Sequence, residues 1–323
     1  EYNGSAQDVR AVTYYNLTLS TGGSKNLAGL TNVNGNLTLN GTASATTTAA
    51  LAIGGNLNVG SGTAFTVGGY DIAVTGITTI AGTLTHTSAT GVKLYAGSVG
   101  ITGTWTNSGE SNITFRGGLT GNFTDTGNGI YTFDTTAAQI IGSGSSISVK
   151  NLVIAGGVTL TNNGTLTVST SLGGTGSLVQ GTSSILSLGG TYSLGSLTAS
   201  AIGNTVKYTG ASPQTVLALP YFNLDLVGGS VKTLPVGLTT ITGNLTLSTS
   251  GTSATLAADL TVGGNVSIGS GTTLDVSASN YAINVGGNWT GSGTFTYRSG
   301  TVTLQGVSAQ TINNGSFYNL ILN

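Results

Sequence analysis

Along most of the chain, apolar residues alternate with small polar ones. Leu37-Thr38-Leu39, Leu57-Asn58-Val59, Leu166-Thr167-Val168 and Leu245-Thr246-Leu247 are typical. A period of two predicts short strands with Leu, Val and Ile on one face and Thr, Ser and Asn on the other. No stretch carries a helical apolar stripe, and the helix formers Glu and Lys are scarce. Gly-Gly, Asn-Gly, Gly-Ser and Gly-Asn recur every few residues, as turns do. The longest aliphatic runs, such as Val216-Leu217-Ala218-Leu219, are strand-sized. They fall far short of the ~20 residues that a membrane helix needs.

A repeat lies over this alternation. Gly-Asn followed by an apolar residue occurs at Gly35-Asn36-Leu37, Gly55-Asn56-Leu57, Gly121-Asn122-Phe123, Gly243-Asn244-Leu245, Gly264-Asn265-Val266 and Gly287-Asn288-Trp289. Asn36 to Asn56, Asn244 to Asn265 and Asn265 to Asn288 are steps of 20, 21 and 23 residues. A period in this range marks a solenoid or other repeat array. Three short strands and three turns fill about 21 residues, so one period is read as one coil, with ~15 coils in all. A longer repeat matches residues 1–82 to residues 207–295. It runs from Tyr2-Asn3-Gly4 and Tyr208-Thr209-Gly210, through Gln7 and Gln214, to Lys25 and Lys232. Further copies of its Gln…Asn-Leu piece lie near 131–154, at Gln139 and Asn151-Leu152, and near 302–323, at Gln310 and Asn319-Leu320.

These periods predict an all-β parallel β-helix of right-handed coils, 20–23 residues each, as one continuous solenoid over 1–323. Stacked coils lie about 4.8 Å apart, so equivalent side chains form ladders. Inward ladders take Leu, Val, Ile and Ala. Outward Thr, Ser and Asn can bond to the next coil. Tandem β-sandwiches are the alternative, but their strands recur every 8–12 residues within domains of about 100. A propeller needs blades of about 40–50 residues.

Composition then gains a meaning. The chain holds 54 Gly and 3 Pro, with no Cys and no Met, and only 5 % of its residues are charged. Like charges stacked at coil spacing repel, so a long solenoid does well without them. Glycine serves the corners. A net charge of −1 offers nothing to nucleic-acid phosphates or an anionic membrane surface. The absence of Cys excludes disulfides, zinc thiolates and thiol chemistry. A translated chain begins with Met and this one holds none, so it is read as a processed or excerpted product, secreted after signal removal.

The C-terminal third carries a resemblance. Gly287-Asn288-Trp289-Thr290-Gly291-Ser292-Gly293-Thr294-Phe295-Thr296 is followed by Gly300-Thr301-Val302-Thr303-Leu304-Gln305-Gly306, then Ala309-Gln310-Thr311-Ile312 and Phe317-Tyr318-Asn319-Leu320. This run resembles the repeats of large secreted bacterial surface proteins, the β-helix adhesins and filamentous autotransporter-like passengers. Degenerate copies extend the resemblance over most of the chain. Residues 83–130 fit it worst. It implies an extracellular, elongated, non-enzymatic protein and names no receptor.

The search for chemistry returns little. Glu110, Arg116, Asp125 and Asp134 form the only charge-dense segment. On adjacent coils they could make a glycan site, since glycosidases set two carboxyls ~5–10 Å apart. Solvated corner charges are the plainer reading. His86 is the sole histidine, without the partners of a metal site or a triad, and is expected on the surface. Lys25 and Lys232 hold equivalent repeat positions and are read as corner residues. Eleven Asn-x-Ser/Thr sequons, at Asn3, Asn16, Asn36, Asn40, Asn112, Asn122, Asn163, Asn244, Asn265, Asn288 and Asn314, are read mostly as by-products of the repeat. No catalytic, cofactor or metal residue is expected.

The expectation is therefore a structural subunit of a surface filament or adhesin stalk. Solenoid ends expose unpaired strand edges. The assembly edge is assigned to Tyr14, Tyr15, Asn16 and Leu17 on one side and Phe317, Tyr318, Asn319 and Leu320 on the other. The partner is a second copy stacked head to tail, or the continuation of a longer chain. Glycans of a host or of the environment are the partner under the alternative, a glycan-binding or glycan-cleaving β-helix. Nucleic acid and membrane insertion by this segment are not expected.

Overall fold

A computed structural model describes residues 1–313 and 315–323. Asn314, the last of the sequons, lies outside the described residues. Every described strand pairing is parallel, and the described residues hold no helix. The fold is a parallel β-helix. Chain contacts divide it into two compact units. The first comprises Glu1–Leu166, Leu172–Leu178 and Ser193–Gly195. The second comprises Thr167–Ser171, Val179–Tyr192 and Ser196–Asn323.

In the first unit each coil from residue 22 to residue 106 gives one short strand to each of three sheets. One sheet steps from Gln7–Asp8 through Gly22–Asn26, Thr42–Thr46, Ala64–Val67 and Thr83–His86 to Thr104–Thr106. A second runs from Asn32–Val33 to Ile130–Phe133 and Ser146–Ile154, and a third from Leu17–Leu19 to Thr159–Asn162. Register keeps like on like. Leu17, Leu37 and Leu57 form one column, each wholly buried. Burying each such side chain contributes about 1.5–3 kcal/mol. Thr18, Thr38 and Asn58 form the outward column on the same strands.

The second unit repeats the plan. One sheet includes Ile185–Leu188, Thr205–Tyr208, Asn223–Leu226, Leu245–Leu247, Val266–Ile268 and Trp289–Gly291. Another runs from Gln214–Thr215 to Thr294–Thr296, and the third from Thr240–Ile241 to Thr301–Leu304 and Asn319–Leu322. Leu224, Leu245 and Val266 stack in register and are wholly buried.

The Gly-Asn signature now has a cause. The side-chain oxygen of each Asn accepts the backbone N–H of the equivalent residue one coil on. Asn16 Oδ1 takes Asn36 N, Asn36 Oδ1 takes Asn56 N, and Asn56 Oδ1 takes Ile77 N, each at 2.8 Å. In the second unit the column runs from Asn223 to Asn244, Asn265 and Asn288, at 2.7–2.9 Å. The glycine makes room for this oxygen. A Cβ on Gly55 would lie 2.5 Å from Asn36 Oδ1, and one on Gly264 would lie 2.4 Å from Asn244 Oδ1. Several sequons are thus members of a hydrogen-bond column.

Candidate functional site: strand edges, buried corners and an acidic depression

The first coil carries one proposed edge. Tyr14 sits at a corner, its hydroxyl 2.7 Å from the Tyr2 hydroxyl and donating to Arg10 O at 3.1 Å. Burial, then the Tyr2 hydroxyl, pushes the Tyr14 phenol up to about 12. Tyr15 beside it is 75 % exposed. Asn16 begins the asparagine column, and Leu17 is wholly buried against Leu37. The strand Leu17–Leu19 is also partly covered on its outer side, where Tyr2 bridges Leu19.

The last coil of the second unit carries the other edge. Phe317 turns inward, its ring centroid 5.4 Å from Trp289 and 5.8 Å from Phe295. Tyr318 is exposed, and Asn319 Nδ2 reaches Thr301 Oγ1 at 3.4 Å. Asn319–Leu322 pairs on one side with Thr301–Leu304. Leu320 and Leu322 are 38 % and 68 % exposed. Their counterparts Leu224 and Leu226 are wholly buried under the next coil.

The acidic segment resolves into two separate devices. Arg116 and Asp134 form a bidentate ion pair on adjacent coils, at 2.8 and 3.0 Å. Glu110 and Asp125 instead line one depression of about 360 Å³ with Trp105, Asn107 and Thr124. Asp125 accepts from Tyr131 Oη at 2.6 Å, Gly127 N at 2.8 Å and Asn107 Nδ2 at 3.3 Å. Glu110 accepts from Asn128 Nδ2 at 2.9 Å. Asp125 is thus committed to the loop and Asp134 to Arg116, which leaves Glu110 as the freer acid. Opposite charges also meet across coils at Lys207–Asp225 and Arg298–Asp275.

One residue differs from its sequence expectation. His86 is fully buried, not on the surface. It shares the inward face of its strand with Leu84, and its Nε2 lies 3.0 Å from Tyr95 Oη. The Trp105 ring lies 5.1 Å away. Burial, and then nearby Lys93, lowers the imidazole pKa to about 3, so it stays neutral. Lys25 and Lys232 do stand at corners, but buried ones. Lys25 Nζ donates to Gly4 O and Gly22 O. Lys232 Nζ donates to Gly210 O at 2.6 Å and Gln214 Oε1 at 2.8 Å. Lys93 plays the same part, donating to Tyr70 O and Thr90 O at 2.7 Å each. Burial lowers the pKa of Lys93 and Lys232.

Three of the four recurring glutamines belong to such corners, whereas Gln139 donates to Thr135 O instead. Gln7, Gln214 and Gln310 each accept the backbone N–H of a glycine at the turn: Gly4, Gly210 and Gly306, at 2.7–2.9 Å. Their register partners on the next coil include Lys25 for Gln7 and Lys232 for Gln214. No cluster of three or more potential metal-ligating side chains occurs among the described residues. No family model matches this chain, and neither curated proteins nor solved structures give a significant match.

Proposed function

We propose that this chain is a non-enzymatic structural segment of an extracellular surface filament or adhesin stalk, assembling through its solenoid edges. One observation carries the reading: the residues that recur are spent on bonds from one coil to the next. Asn16, Asn36, Asn244 and Asn265 hold the backbone of the following coil. Lys25 and Lys232 hold that of the preceding one. A sequence that repeats its joints rather than a reactive constellation is suited to extending a structure. The resemblance to secreted bacterial surface repeats adds the extracellular setting. Catalysis on glycans is the weaker reading, because Asp125 and Asp134 already have fixed partners.

The test is to raise the concentration of purified chain and follow it by light scattering and electron microscopy. Open end-to-end assemblies are expected, since heterologous contacts that do not close give fibres. Single chains at every concentration would contradict assembly through the edges.

A further inference from the structure

The corners between strands carry a chemistry of their own. Asparagine is a thermolabile residue, and most so before glycine, where no Cβ hinders the backbone nitrogen that attacks its side-chain carbonyl carbon. Six Asn-Gly pairs occur in the chain, and the one at Asn314 lies outside the described residues. At the other five the asparagines, Asn3, Asn34, Asn40, Asn128 and Asn163, are all exposed, so access to water does not tell them apart.

The attacking nitrogen does. An amide whose N–H is held in a hydrogen bond is fixed in place and gives up its proton less readily. Gly4 N donates to Gln7 Oε1 at 2.7 Å, Gly35 N to Tyr15 O at 2.5 Å and Gly164 N to Asn162 Oδ1 at 3.1 Å. At the fourth pair Gly129 is buried, and the Asn128 side chain is held at both ends, by Glu110 Oε1 at 2.9 Å and Lys150 Nζ at 3.1 Å. Asn40-Gly41 has neither restraint. Among the described residues Gly41 N–H meets no acceptor, and the Asn40 side chain has no hydrogen-bond partner. Gly41 is itself exposed, at a corner with φ of 68°.

We infer that Asn40 is a site of spontaneous deamidation, the one of these five pairs that the fold leaves free to react. Gly41 N loses its proton to solvent and bonds to Asn40 Cγ. The Cγ–Nδ2 bond breaks, and the nitrogen leaves as ammonia with that proton returned. Water then opens the five-membered imide at either carbonyl, giving aspartate or its β-linked isomer. Either product adds a carboxylate to a chain of net charge −1. The β-linked isomer also lengthens the main chain by one carbon between the strands Leu37–Leu39 and Thr42–Thr46.

The test is to age the full folded chain, made in a host that does not glycosylate asparagine, in mildly alkaline buffer and to map its peptides by mass spectrometry. Asn40 is expected to convert at least about tenfold faster than Asn3, Asn34, Asn128 and Asn163, since small misplacements of reacting atoms change rates by that much or more. In chain unfolded by urea the five pairs should convert at similar rates, because all are Asn-Gly. Gln7→Ala removes the acceptor of Gly4 N and is expected to raise the rate at Asn3. An Asn40 that stays intact, or that converts no faster than the other four in the folded chain, would overturn the site. A lead of Asn40 that persists undiminished in urea would overturn the part assigned to the fold. An Asn3 rate unchanged by Gln7→Ala would overturn the protection assigned to the hydrogen-bonded nitrogen.

Discussion

The corner built on Tyr2, Gln7 and Tyr14 and the one built on Tyr208, Gln214 and Tyr221 make the same bonds in different surroundings. In the first, Arg10 N donates to Tyr2 Oη at 3.0 Å and Tyr14 Oη donates to Arg10 O at 3.1 Å. In the second, Leu217 N donates to Tyr208 Oη at 2.9 Å and Tyr221 Oη donates to Leu217 O at 3.0 Å. The hydroxyl pairs are 2.7 and 2.8 Å apart. Yet Tyr2, Gln7 and Tyr14 are half-buried, whereas Tyr208 and Tyr221 are fully buried and Gln214 nearly so. Burial raises both inner phenols well above their usual range. The corner geometry is therefore local, written into its own residues. A preceding coil adds the dry surroundings that make its polar bonds costly to break.

The largest expected contrast is between the two corner lysines. Lys232→Met leaves Gly210 O buried without its lysine donor and takes one of the two donors from Gln214 Oε1, and should cost about 2–4 kcal/mol. Lys25→Met should cost about half as much, because Gly4 is half-open and water can replace the lost donor. Urea unfolding of the two variants measures the difference. Equal losses would break the comparison.

A second contrast is with pH. His86 is neutral and buried, facing Tyr95, Trp105 and Lys93. Its folded pKa of about 3 lies below the unfolded 6.5, so unfolding takes up a proton as pH falls through that window. Stability is unaffected above pH 6.5 and lost progressively down to pH 3, by about 2 kcal/mol at pH 5. Unfolding midpoints at pH 7.5 and 5 should diverge in the parent and converge in His86→Phe. Asp275, held low by Arg298, adds its own loss only below its ordinary value of 3.8.

Smaller effects sharpen the picture. Tyr221→Phe removes a buried hydroxyl link and should cost about 1–2 kcal/mol, and Tyr14→Phe at the open corner about 0.5 kcal/mol, by thermal unfolding. Arg116→Ala severs an ion pair in water and should leave the Tm unchanged.

The alternation of Leu and Thr revealed the strands, and the Gly-Asn spacing revealed the coil length, because both are local and repeat at every turn. The burial of single polar residues was less legible. Leu84-Thr85-His86 already places His86 on the inward face, but the scarcity of partners for a lone histidine argued for the surface. Lys93-Leu94-Tyr95 is harder still. The lysine and tyrosine point inward and the leucine outward, because Tyr70 O and Thr90 O await an ammonium. Residues 83–130, where the repeat is faintest, hold a core of Tyr95, Trp105, Phe115 and Phe123 in place of aliphatic ladders. Arg116 and Asp134 stand 18 residues apart, and only the register Phe115↔Phe133 makes them neighbours.

Amide hydrogen exchange on assembled material tests the central claim most directly. If solenoid edges take up a further coil, the amides of the Tyr2–Tyr14 corner and of Asn319–Leu322 should slow on assembly. Their protection should approach that of the Tyr208–Tyr221 corner, which changes little. Assembled chains in which both edges keep exchanging as fast as in the single chain would contradict it.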